Sequence, residues 1–213
     1  MSPGPHPLLH GYDVHGDLAQ HYRFPELVLT ALRGEAPTRA EGELYDAVLS
    51  FWCPIGAAHA PVHAVVLART CGARDTSVLA VGAAPLAGQA SQIIEDHEAL
   101  LSWLSDPSAP FPEALRGPPQ PEREAVRSFA RRVEPTGIPV PALEHDPTLP
   151  AALLAGAWAC GLRSRTQLAA TIVSARYPLM LSAAVHEPEG AFRGYPIDLP
   201  HFDYHPPEDG ESP

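Results

Sequence analysis

The sequence predicts an all-α protein. Apolar residues recur at helical spacing through most of the 213 residues, lining one face of each run. No sustained period-2 alternation, the mark of half-buried strands, is found anywhere in the chain. Proline-dense stretches separate the helical runs, and 26 prolines are about twice the ordinary share of roughly 5%.

Residues 1–11, rich in Pro, Gly and His, read as a loose arm. Phe24, Leu27, Val28 and Ala31 fall on one helical face, with Pro25 suited to a first turn and Gly34 to a helix end. Thr38 is placed to cap a helix from Arg39 to Phe51 that carries Leu44, Ala47, Val48 and Phe51 on one side. Pro54–Ala90 is apolar and nearly uncharged, and reads as two buried helices joined at CGARD. The first, His59–Thr70, is apolar nearly all round and is expected to be buried on every side. The second, Ser77–Ala84, is expected to break at Pro85 and Gly88 and resume as an amphipathic helix over Ala90–Leu104. Gly82 and Gly88 are expected to serve close packing.

Six prolines between Ser105 and Glu122 indicate an extended connector. A charged amphipathic helix follows over Glu122–Val133, then a second irregular stretch over Glu134–Pro150. Ala151–Cys160 reads as an apolar helix. Thr166–His186 reads as a long one, with Pro178 a kink point. The tail from Pro188 is polar.

A net charge of −11 and the lack of any Lys/Arg cluster argue against nucleic acid and anionic membrane as partners. Cys53, Cys71 and Cys160 are widely spaced and odd in number, which fits reduced thiols better than a disulfide frame. The N-terminal stretch has neither a basic segment nor an apolar core of the secretory kind. No uninterrupted apolar run reaches the roughly 20 residues that span a bilayer. The expected location is cytoplasmic.

The order of four segments resembles the citrate synthase superfamily, and within it the short citryl-CoA-lyase-like members. These segments are GYDVHGDL, FPELVLTALRGEAPT, the GARD-joined pair ending in PLAGQA, and ARYPLMLSAAVHE. The resemblance spans about Gly11–Ala90 and Thr148–Leu199. It implies a large helical domain over 12–104 and 148–199, a reduced proline-rich small lobe over 105–147, and a tail over 200–213. It also implies a dimer whose interface is built by the two central helices, either with a second copy or with a homologue.

The family's acid–base groups are missing from the matching positions. Cys53–Ala58 holds no His, Ala87 stands in PLAGQA where the family reads PLHGGA, and Pro150 stands where the family has Asp. A late family His is replaced by Ala183. None of these replacements can move a proton. In the family's CoA-gripping DPR motif this chain keeps Asp146 and Pro147 but has Thr148 in place of Arg. The expectation is therefore no cofactor, CoA included.

Two arginines match the resemblance. Arg176 and Arg193 correspond to the family's carboxylate-gripping pair, and a guanidinium fork suits a carboxylate bidentately. Arg176, in an apolar helix, needs either a carboxylate ligand or an internal acid. Substitute proton-transfer groups are His59, close to the expected cleft, and Glu144 and Asp146 in the loop expected to face it. The plainer readings are a hydrogen-bonded His59 and a solvated turn at 144–146. His59 and His63 are four apart on one helical face, but a metal pair needs a third ligand, and no metal is expected. The function that follows is an atypical citrate-synthase-like enzyme acting on a small carboxylate or carbonyl substrate, by carbon–carbon bond formation, cleavage or cyclisation. The alternative is a non-catalytic subunit or carboxylate-binding partner protein.

Overall fold

The computed structural model describes residues 7–186. Where the sequence reading expected a loose arm, residues 8–13 pair as a small antiparallel hairpin, β1 (Leu8–Leu9) and β2 (Tyr12–Asp13). His10 and Gly11 take positive φ at its turn, and His10 Nε2 donates to the Ala31 carbonyl at 3.1 Å, fixing the hairpin to the helix that follows. The Asp13 carboxylate accepts from the backbone N–H groups of His15 and Gly16. It thereby caps a π-helical turn, Val14–Leu18, that runs into α1 (Ala19–His21).

The remaining described chain is helical, with short 3-10 turns in the proline-rich stretches. Helix α2 (Phe24–Arg33) carries Pro25 in its first turn and ends at Gly34, whose φ of 91° is left-handed. Helix α3 (Arg39–Trp52) starts with a reciprocal cap. The Glu41 N–H donates to the Thr38 hydroxyl, and the Thr38 N–H donates to the Glu41 carboxylate. Helices α4 (Ala60–Thr70), α5 (Asp75–Val81), α6 (Ala83–Asp96) and α7 (Glu98–Ser105) follow. The breaks fall at Gly82 and His97, not at Pro85 and Gly88. Pro85 sits in the first turn of α6, where a missing N–H has no intrahelical acceptor to lose. Gly88 lies within α6, with nothing within 4 Å of where a Cβ would stand, so it does not serve packing. Gly82 does: a Cβ there would lie 2.5 Å from Val65 Cγ1 and 2.6 Å from Met180 Sδ.

Helices α8 (Gln120–Val133), α9 (Leu149–Ala159) and α10 (Arg165–Val185) complete the described fold. Glu122 on α8 accepts the Leu149 N–H at 2.7 Å, capping α9 from a distant segment where the local Thr148 hydroxyl makes no cap.

Two apolar clusters organise these helices. The main one gathers Leu29 (α2), Leu44, Tyr45 and Val48 (α3), Leu100 and Trp103 (α7), Phe129 (α8), Leu153 and Leu154 (α9), and Leu168 and Ile172 (α10). Residues from the 105–147 stretch, among them Phe111, Leu115, Val140 and Ala142, are buried in the same cluster. The connector is thus held by isolated large side chains. Phe111 meets Trp103 edge-on at 5.0 Å, and Trp103 Nε1 donates to the Ala109 carbonyl. The second cluster is small: Val62 and Val65 (α4), Val78 (α5), Leu86 (α6), and Met180 and Ala184 (α10).

The expectation that Pro54–Ala90 forms two buried helices, the first (His59–Thr70) buried on every side, is overturned. Leu67, Leu79 and Val81 are 40%, 45% and 42% exposed. The deepest burial lies instead between α3 and α9, where Ala151–Ala157 are all buried. By length and composition alone, 75–96 and 165–185 are long and apolar enough to cross a membrane, which also departs from the sequence expectation. Gly82 interrupts the first of these runs. The second lays Leu168 and Ile172 into the main cluster and Met180 and Ala184 into the second.

Candidate carboxylate site

Three elements run between the two clusters and meet at their seam. Helix α10 passes from Ala175 in the main cluster to Met180 in the second. Helix α6 passes from Leu86 in the second to Ala90 in the main one. Helix α3 ends there at Trp52, itself nearly fully buried. The Cys53 thiol donates to the Ala175 carbonyl at 3.4 Å, pinning the end of α3 to α10. Burial pushes that thiol above its usual range, and the Asp46 carboxylate adds to the effect.

Arg176 occupies the seam. Its Nε donates to the Trp52 carbonyl at 3.2 Å, and its Nη1 donates to Gln89 Oε1 at 3.1 Å. The guanidinium carbon lies 5.2 Å from the centroid of the Trp52 ring, within cation–π range. Both hydrogen-bond acceptors are neutral, and among the described residues no carboxylate pairs with Arg176. Burial lowers its pKa, as expected for a cation taken partly out of water without a counter-charge. The Trp52 indole N–H is also buried without an acceptor. Beside Gln89 the surface of α6 is open: Ala87 and Gly88 are exposed. The arrangement can attract an anion, and a planar carboxylate matches the guanidinium fork.

The other sequence candidates lie elsewhere. His59 is exposed at the N-cap of α4, and its Nδ1 accepts the Gly56 N–H at 3.1 Å. Asp146 takes a left-handed backbone conformation, φ 48°, and its carboxylate pairs with Arg123 at 3.2 Å. Its carbonyl accepts the Gly117 N–H. Glu144 is exposed in the 3-10 turn Pro141–His145. No hydrogen bond or ion pair joins His59, Glu144 or Asp146 to Arg176. Arg193 lies outside the described residues. Among the described residues no group of three His, Cys, Asp or Glu side chains is placed to hold a metal ion.

Sequence reasoning missed Trp52 and Gln89. Trp52 falls just past the helix predicted over Arg39–Phe51. Gln89 carried a usable signal, being the one long polar side chain in the apolar run Val78–Ala90. The polar groove of about 410 Å³ between α2 and α3 is a weaker candidate. Its charges largely satisfy one another: Arg39 pairs with Glu43, and Asp46 with Arg132.

The helical fold defines an all-α frame with a partly buried cation at the seam between two packed clusters. No family model and no curated protein matches the chain in sequence. Among solved structures it is similar to citryl-CoA lyase from Hydrogenobacter thermophilus, with a TM-score of 0.66 and 17% identity over 100% of this chain and 95% of that one. The fold is therefore citrate-synthase-like, as the segment order implied.

Proposed function

We propose that this chain is an atypical citrate-synthase-like protein that binds a small carboxylate-bearing ligand at Arg176. The observation that carries the reading is a partly buried guanidinium with only neutral hydrogen-bond partners, stacked over Trp52 at the seam of the two clusters. A cation so placed gains most from a ligand that supplies the missing charge. The structural neighbour's name gives it citryl-CoA, a carboxylate-rich substrate, which fits the ligand class.

In its enzymatic form the proposal is carbon–carbon bond formation, cleavage or cyclisation on a small carboxylate or carbonyl compound, in specialised metabolism and without CoA. His59 is then the better proton donor, because its Nδ1 accepts the Gly56 N–H and the neutral ring therefore carries its proton on Nε2. Asp146 is tied to Arg123 and is less suited. The second reading, a non-catalytic subunit or carboxylate-binding partner protein, is favoured by the neutral character of Arg176's own contacts, Trp52 and Gln89. Both forms propose a cytoplasmic protein, and pairing with a second copy or a homologue through α4, α5 and α10. The exposed Leu67, Leu79, Val81 and Leu179 on those helices supply apolar surface for such a contact.

Isothermal titration with citrate, oxaloacetate, succinate and malate tests the site. Wild-type protein should bind at least one of them, and Arg176→Ala should lose at least tenfold in affinity while keeping its helical circular dichroism. Equal binding by both proteins would sink the reading. Turnover of oxaloacetate or citrate lost in His59→Ala with binding intact would select the enzymatic form. Sedimentation of wild type against Leu79→Asp tests the pairing, with a shift to single chains expected.

A further inference from the structure

The position of Gln89 has a consequence for what Arg176 can accept. Its Oε1 takes one arm of the guanidinium fork at 3.1 Å, through Nη1. The Nε arm is taken by the Trp52 carbonyl. A guanidinium only donates, so the amide must present its oxygen to Arg176. Its two Nε2 protons are therefore left to donate elsewhere than to the guanidinium. No hydrogen bond from Gln89 Nε2 to a described residue competes for them. Gln89 is itself only partly buried, so solvent reaches it.

We infer that Gln89 is a specificity-determining residue that shares the ligand carboxylate with Arg176, one carboxylate oxygen accepting from Arg176 Nη2 and the other from Gln89 Nε2. The proposal rests on the carboxylate-binding reading of Arg176 and adds a second ligand-contacting side chain. The amide suits this position because it accepts from the cation and donates to the anion at once, without supplying charge. A carboxylate side chain in its place would fill the fork and neutralise Arg176. An apolar one would leave a single donor. The pair of donors selects a planar group with two acceptor oxygens over a ligand with one.

Three variants test this by isothermal titration with citrate, oxaloacetate, succinate and malate. Each is first checked for wild-type helical content. Gln89→Glu should abolish binding, because the introduced carboxyl takes the ligand's place on Arg176. Gln89→Leu, which keeps bulk, should weaken the best ligand by about tenfold, as expected for one lost hydrogen bond to a charged group. Gln89→Ala should weaken it similarly. Tighter binding in Gln89→Ala would show that the amide blocks the fork, and would overturn the inference. Unchanged binding in Gln89→Glu would overturn it as well. If Arg176→Ala loses binding while all three Gln89 variants bind like wild type, the Arg176 site stands and only the role of Gln89 falls. If wild type binds none of the four acids, both fall.

Discussion

In the main cluster, α9 lies against α3 and α8 with Gly156 at the closest approach. A Cβ there would stand 2.8 Å from Val48 Cγ2 and 3.1 Å from Phe129 Cζ. In the second cluster, α4, α6 and α10 meet around Gly82 at similar range. The local solution is the same, yet the surroundings differ. Around Gly156 the buried side chains continue in every direction, through Leu44, Leu153 and Leu154 to Ile172. Around Gly82 they end after one layer, and the outer sides of α4, α5 and α10 leave Leu67, Leu79 and Leu179 about two-fifths exposed. The chain therefore has one half that can carry its stability and another that offers surface. The candidate carboxylate site sits where they join.

The largest test of this contrast is truncation of Phe129, fully buried and in edge contact with Phe51 at 5.4 Å. Phe129→Ala should lower unfolding free energy by about 3–5 kcal/mol, read by urea denaturation. The counterpart, Val78→Ala at the rim of the second cluster, should cost only about 1 kcal/mol. Similar losses at both would erase the distinction between the halves.

Overpacking gives the next test. Gly156→Ala forces a methyl against a β-branched Val48 and an aromatic ring, both stiff, and should cost about 1–3 kcal/mol. Gly82→Ala meets the flexible end of Met180 but also Val65 Cγ1, which is β-branched, buried and nearest at 2.5 Å. Its cost should therefore be comparable, about 1–3 kcal/mol.

Electrostatics sharpen the comparison further. Arg33 donates to the Glu41 carboxylate at 2.6 Å and to the Cys160 carbonyl at 3.1 Å, tying α2, α3 and the end of α9 together with both side chains mostly buried. Burial raises the Glu41 pKa, but the hydrogen bonds from Arg33 and Thr38 outweigh it, so the folded value lies below the ordinary 4.5. A depressed carboxyl contributes stability that is fully present above the unfolded value and lost as pH falls through the folded one. Glu41→Gln should therefore cost about 1–2 kcal/mol at pH 7, and the gap to wild type should close as pH drops below about 4.5. In the second half the matching link, Arg69 to Asp75, leaves Asp75 85% exposed. Asp75→Asn should change stability little.

Much of this fold was legible in the sequence, because helix starts and stops are written locally. Pro25, Gly34 and Thr38 act where their chemistry predicts. The misplaced break at Pro85 shows the limit: in a helix's first turn the N–H that proline lacks has no intrahelical acceptor to lose, and where that turn falls depends on where the helix begins. Burial was less legible. Val62, Leu67 and Leu79 are equally apolar as letters, and only the tertiary neighbours decide which face finds a partner. Of the site, Arg176 could be found because its segment resembles the citrate synthase superfamily's carboxylate-gripping one and because a cation amid apolar residues is conspicuous. Trp52 and Gln89 reach it from 124 and 87 residues away, and no spacing rule connects them.

A further modest effect concerns Tyr45. Its ring is fully buried in the main cluster, and its hydroxyl bonds to the Thr171 hydroxyl at 3.1 Å, joining α3 to α10. Burial drives its pKa up to about 12, so the phenol stays neutral through the working range. Thr171 also donates to the Gln167 carbonyl at 3.0 Å, and it keeps that partner if the phenol is removed. Tyr45→Phe therefore strands no buried donor and leaves the packing intact, and should cost about 0.5–1.5 kcal/mol. Thr171→Val removes the other end of the same bond and should cost more, about 1–3 kcal/mol, because the Tyr45 hydroxyl is now the orphan. If the double variant costs no more than Thr171→Val alone, the bond is the whole contribution of the pair. A larger, additive loss would mean that shape at this buried position, and not the hydrogen bond, holds α3 to α10 where Trp52 meets Arg176.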